Sequence, residues 1–123
     1  MPAYDHTIQV KADNLIAKYP ASMIAILDHS GKYLFASESH RELLGYEPDE
    51  LLHLNLRQII LPADMSHVDL AFGDAVLRGK SIEIGTRLVT KSGHVVRARA
   101  SAENVEDPIS HQMFIIGKSE IVT

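Results

Sequence analysis

The 123-residue chain contains no cysteine and no tryptophan, and aromatic residues make up only 6% of it. Without cysteine there is no disulfide, no thiolate metal site, no cysteine nucleophile and no chromophore attached through sulfur. Without tryptophan, a stacking platform for nucleic-acid bases has little to be built from. The net charge of −4 also opposes a phosphate backbone, so no nucleic-acid partner is expected. No apolar run approaches the ~20 residues of a membrane-spanning helix, and the N-terminus lacks the basic and apolar regions of a signal peptide. The chain therefore reads as cytoplasmic, with no membrane partner. There is no Gly-x-Ser-x-Gly elbow around a nucleophile, and the seven glycines are scattered at turns rather than gathered into a phosphate-binding loop.

Catalytic and metal candidates are equally thin, and no catalytic or metal residue is assigned. The seven histidines, at 6, 29, 40, 53, 67, 94 and 111, include no pair at the i, i+4 spacing that puts two ligands on one helix face. At least four of them read as turn or loop surface. Asp49, Glu50, Glu103, Glu106 and Asp107 sit at a helix start or in a loop, positions that explain them without acid-base work. The chain is not expected to be an enzyme.

What is there is an ordinary globular composition, 46% apolar and 23% charged, in a length that suits one domain. The stretch Ser37 to Met65, SESHRELLGYEPDELLHLNLRQIILPADM, crowds several short helices together. Gly45 ends the first in the left-handed conformation that glycine adopts without strain. Pro48 restarts the chain, with Asp49 and Glu50 at the positive end of the new helix. Asn55 and Gln58 form a capping-box pair, Pro62 makes another stop, and Asp64 another cap. Before this stretch, residues 5 to 19 read as an amphipathic helix ended by Pro20, and Met23 to Asp28 and Tyr33 to Ala36 as strands joined by a turn at residues 29 to 32. After it, a helix runs to about Arg78 with Met65, Val68 and Phe72 along one stripe and stops at Gly79. Strands follow at Ile82 to Thr90, His94 to Val105 and Gln112 to Val122.

The phrase Gly45-Tyr46, then Glu50-Leu51, then Pro62-Ala63-Asp64, resembles the PAS domain family, over roughly residues 21 to 122. Ser37 stands where that family usually has asparagine and Leu61 where many members have histidine; serine can still cap a helix. The resemblance implies an α+β PAS fold: a five-stranded antiparallel sheet of order 2-1-5-4-3, with short helices and one longer helix on one face, plus the N-terminal amphipathic helix. The expected division is a helix over residues 1 to 20 and a PAS domain over 21 to 123. The implied function is sensing or signal transduction, with binding of a small molecule or partner relayed to an effector domain or partner signalling protein through dimerisation. The alternative is a ligand-free interaction module with a filled core. The chain reads as the N-terminal module of a longer protein whose Glu120 to Thr123 resembles the family's exit strand.

The family's cysteine-dependent photochemistry is excluded by composition. No cofactor is required by the sequence. Noncovalent flavin stays open, and haem is a second option: in haem-binding members the long helix supplies the axial histidine, but that position falls near Asp69, and His67 misses the apolar stripe and reads as solvated helix face. A cavity is suggested by the fourth strand, where Val96, Ala98, Ala100 and Ala102 share one face and Val95, Arg97, Arg99 and Ser101 the other. A face of alanines leaves room for Phe72, Leu88 or Met113, or for a small, largely apolar ligand with a polar end. The candidate lining is Ile26, Leu56, Ile60, Val68, Phe72, Ile84, Leu88, Ala98, Ala100, Met113 and Ile115. Arg87 falls on the face opposite the isoleucines and reads as a surface or dimer residue. The first and last strands are apolar on both sides, so something must cover the outer face. The stripe Ile8, Ala12, Leu15, Ile16 and Tyr19 is expected to do so together with Phe114 and Ile116 in a homodimer, or else on its own sheet in a monomer.

Overall fold

A computed structural model describes residues 3–79 and 81–122. Thr123 of the expected exit strand, and the outermost bounds of the two expected segments, lie outside these residues.

Helix α1 (His6–Lys18) opens on Asp5, whose carboxylate accepts the Thr7 N–H at 3.0 Å. Strands β1 (Met23–Leu27) and β2 (Tyr33–Ala36) follow, then helices α2 (Ser39–Leu44) and α3 (Pro48–Leu51). Two 3-10 turns, Leu56–Gln58 and Pro62–Asp64, lead into α4 (Met65–Arg78), and strands β3 (Ile82–Val89), β4 (Val95–Glu106) and β5 (Met113–Ile121) complete the chain. The strands form one antiparallel sheet of order β2-β1-β5-β4-β3. Helix α1 is followed by Pro20, and α2 ends at Gly45 with φ 83° while its N–H reaches the Arg41 carbonyl. Asn55 and Gln58 form the expected reciprocal cap: Arg57 N–H donates to Asn55 Oδ1 at 3.0 Å, and Asn55 N–H to Gln58 Oε1 at 2.9 Å.

Two expected caps are absent. Ser37 does not cap α2 with its side chain; its hydroxyl accepts the Ile24 N–H at 2.9 Å and so pins the start of α2 to β1. Asp64 does not cap α4, because its backbone is already helical and its carboxylate turns to the edge of β3. There it accepts the Arg87 N–H at 2.7 Å and the Arg87 Nε at 3.1 Å. The same edge is closed by Leu61 N–H on the Arg87 carbonyl (2.9 Å) and Val89 N–H on the Ile59 carbonyl (2.8 Å). At the opposite edge, Leu56 N–H donates to the Gly31 carbonyl at 2.8 Å and Tyr33 N–H to the Leu54 carbonyl at 3.3 Å.

Apolar side chains pack on both faces of the sheet. On the outer face, Tyr4, Ile8 and Ala12 meet Ile24, Ile26, Val105, Phe114 and Ile116. Helix α1 is held there at both ends: Asp5 N–H donates to Asp107 Oδ2 at 2.6 Å, and Lys118 Nζ lies 4.6 Å from the centre of the Tyr19 ring. On the inner face, Met23, Ala25, Leu27 and Ile115 meet Leu44, Leu51, Ile59, Ile60 and Val68. Strands β1 and β5 thus serve both faces by alternation, with Ile26 paired to Ile116 and Leu27 to Ile115. Ile26 therefore belongs to the outer face and not to the cavity. Its pairing parity, rather than its hydrophobicity, decides the side.

Candidate functional site

Between the inner face and the helices lies a cavity of about 80 Å³. Nine of the expected residues line it: Leu56, Ile60, Val68, Phe72, Ile84, Leu88, Ala98, Ala100 and Ile115. Met113 does not, although it shares the parity of Ile115; it lies at the far end of β5, opposite Glu106. The cavity exists because β4 presents Ala98, Ala100 and Ala102, and β5 continues this floor with Gly117 and Ser119. Side chains this short cannot reach the helices that Val68 and Phe72 hold off on the other side. Ile82, Ala25 and Leu27 extend the apolar wall.

The sequence pattern did not reveal the polar part of the lining. Tyr33 and His40 both border the cavity, and both are almost fully enclosed, with 4% and 3% of their surface exposed. Their rings meet edge to face, with centroids 6.1 Å apart. His40 looks like surface in the polar run Ser37-Glu38-Ser39-His40, yet the Ser37 bond to β1 turns α2 so that this residue points inward. His40 Nδ1 lies 2.9 Å from the Ser37 carbonyl, which only an N–H can satisfy, so Nε2 is the acceptor of the neutral ring. Burial pushes the His40 pKa below its ordinary value, and burial, with a smaller contribution from Tyr46, pushes the Tyr33 hydroxyl up. Among the described residues, no Lys, Arg, Asp or Glu borders the cavity.

Elsewhere several ionisable groups make structural contacts. The Arg87 guanidinium holds the Asp64 carboxyl down at about 2. Asp107 is enclosed and accepts the N–H groups of Asp5, Ile109 and Ser110, which keeps its pKa low. Glu50 is lowered by its contact with Lys91, at 2.7 Å. Among the described residues, no group of three or more His, Asp or Glu side chains is placed to hold a metal ion. His67 is exposed and outside the cavity, with Nε2 3.2 Å from the Gly85 carbonyl. At about 80 Å³ the cavity is smaller than the roughly 300–1,000 Å³ of sites for drug-sized ligands. Among the described residues, no helix is long and apolar enough to cross a membrane.

The seven residues expected at a dimer contact also come together, within one chain. Ile8, Ala12, Phe114 and Ile116 are buried between α1 and the sheet, and Leu15, Ile16 and Tyr19 are half-buried at its margin.

Comparison with known proteins agrees with this architecture. White collar 2 protein of Neurospora crassa is 32% identical over 69 residues, which make up 56% of this chain and 13% of that protein. The chain thus spans only a small part of that relative's length. The Drosophila melanogaster Cycle PAS-B domain, solved with bound ethylene glycol, superimposes with a TM-score of 0.75 at 16% identity, over 81% of this chain and 99% of that one. A domain of a sensory box sensor histidine kinase/response regulator from Geobacter sulfurreducens gives 0.72 at 21% identity, over 94% of this chain and 96% of that one. The family model for the PAS fold matches residues 33–118. With that match over more than half its length, the chain belongs to the PAS family.

Proposed function

We propose that this PAS domain is a sensory module that binds a small molecule in the inner cavity and passes its occupancy to an effector through α1. The observation that carries the reading is a largely apolar cavity holding two enclosed polar side chains, Tyr33 and His40, in a wall whose described residues carry no charge. The route outward is β5, whose Ile115, Gly117 and Ser119 border the cavity while Phe114 and Ile116 belong to the outer cluster that contains Ile8 and Ala12 of α1. In this reading the domain performs no catalysis itself: Glu50, Asp64 and Asp107 are each engaged in a structural contact. Native mass spectrometry of the freshly purified protein tests the binding, and a retained small mass lost in Ala100→Leu is the expected result. A chain that purifies empty and takes up no small apolar solute removes it.

The small size of the cavity, about 80 Å³, favours a second reading in which the domain is a ligand-free interaction module. Both readings include a homodimer joined through the margin of α1, where Val10, Leu15 and Ile16 keep part of their apolar surface. Light scattering at micromolar concentration checks this, and the mass of a single 13.6 kDa chain would rule the dimer out.

A further inference from the structure

We infer that the cavity is built for a neutral molecule with one hydroxyl on a compact apolar body, of the size of a phenol, with the hydroxyl seated between Tyr33 and His40. The inference rests on the sensory reading above and specifies its ligand.

The argument starts from hydrogen bonds that are missing. The Tyr33 hydroxyl and His40 Nε2 make no hydrogen bond among the described residues. Yet no fully sealed side-chain nitrogen or oxygen is left without a partner, so each tip reaches open space, which the cavity that both residues border can supply. A polar tip facing an apolar void gains from a partner placed there, because enclosed polar groups carry a desolvation penalty that only a hydrogen bond relieves.

The chemistry of the two tips selects the partner. With Nδ1–H committed to the Ser37 carbonyl, Nε2 can only accept, so the ligand must donate to it. The Tyr33 O–H can donate in return to the same ligand atom. A hydroxyl oxygen does both at once, whereas a carbonyl only accepts. Charge is selected against on both signs, because among the described residues no Lys, Arg, Asp or Glu borders the cavity and an unpaired ion in such a wall is costly. Apart from the hydroxyls of Thr86, Ser101 and Ser119, the rest of the lining is aliphatic or Phe72, which suits a hydrocarbon body. Size follows from the volume: at roughly 10–15 Å³ per water-sized particle, 80 Å³ holds a solute of about five to eight heavy atoms.

Phenol and toluene form the test, since they share a shape and differ by hydroxyl against methyl. Protein-observed NMR titrations on the full chain give a Kd for each. Phenol is expected to bind roughly three- to tenfold more tightly than toluene, the ratio that one net hydrogen bond supplies. In Tyr33→Phe and in His40→Phe the order should reverse, because toluene is the more hydrophobic solute, and unchanged toluene binding shows that each variant is folded. If His40→Phe does not fold, Tyr33→Phe decides alone. Toluene binding as tightly as phenol in the wild type overturns the polar seat and leaves the sensory reading intact. Benzoate binding as well as phenol overturns the requirement for neutrality. Failure of both phenol and toluene to bind overturns the cavity reading together with this inference.

Discussion

On the outer face of the sheet, Ile24, Phe114 and Ile116 close against α1 with 2% or less of their surface exposed, while on the inner face Ala98, Ala100 and Ala102 leave a void. The strands are shared, so the difference lies in side-chain size alone. Outside, large residues on the sheet meet a small one on the helix, Ala12, and the two surfaces approach fully. Inside, small residues on the sheet meet helices propped away by Val68 and Phe72, and the surfaces do not close. The lesson is that one sheet can be both a rigid base and a receptive wall, with alternation along each strand keeping the two separate.

That contrast predicts unequal responses to mutation. Phe114→Ala should be the most damaging change, costing roughly 3–5 kcal/mol in urea unfolding, because it empties the closed face. A loss below about 1 kcal/mol would show that this face is not close-packed. A matched pair of enlargements sharpens the comparison further. Ala12→Leu should destabilise by roughly 1–3 kcal/mol through overpacking. Ala100→Leu, the same change on the open face, should cost less than about 1 kcal/mol while abolishing solute uptake in the NMR titration. Equal losses from the two would mean that the inner void is not usable space.

A smaller effect belongs to the helical roof of the cavity. Gly45 has φ 83°, and an added Cβ would meet only Lys91 Cβ at 3.5 Å, an ordinary contact. Gly45→Ala should therefore cost about 1 kcal/mol from backbone strain alone, read as a lowered Tm. Smallest is a pH dependence confined to the inner face. Because burial lowers the His40 pKa, the unfolded chain takes up its proton first, so stability is full above about pH 6.5 and is lost as pH falls through the lower folded value. Thermal melts from about pH 7 to pH 5 should show a slope in the wild type that shrinks in His40→Phe. An identical slope in both would place the titrating group elsewhere.

Local chain chemistry made much of this legible. Gly45, Pro48 and the Asn55-Gln58 pair act through neighbours a few residues away, so their spacing in the sequence is their spacing in space. The inner face of β4 was readable because alanine and arginine alternate along it. Ile26 was not, because β1 is apolar at every position and only its pairing with β5 fixes which side each residue faces. Periodicity likewise identifies the stripe of α1 as a cover without saying which copy's sheet it covers. His40 was hidden for a different reason: its burial goes with a hydrogen bond that the Ser37 hydroxyl accepts from Ile24, on a strand thirteen residues earlier. Asp64 was misread because a short-range role, the cap, competes with a long-range partner, Arg87, that only the tertiary fold supplies.

The bonds along the two rims of the sheet have a further consequence. The segment from Leu54 to Asp64 supplies hydrogen-bonding groups to Tyr33 and Gly31 on one side and to Arg87 and Val89 on the other. A sheet otherwise grows by recruiting another strand to a bare margin, the route by which copies of a protein polymerise. Here a single stretch of chain occupies groups on both margins, and Asp64, with its carboxyl held at about 2, stays ionised far into acid. Where these bonds lie, at Gly31 and Tyr33 on one margin and at Arg87 and Val89 on the other, the sheet offers no free groups as a template for other chains.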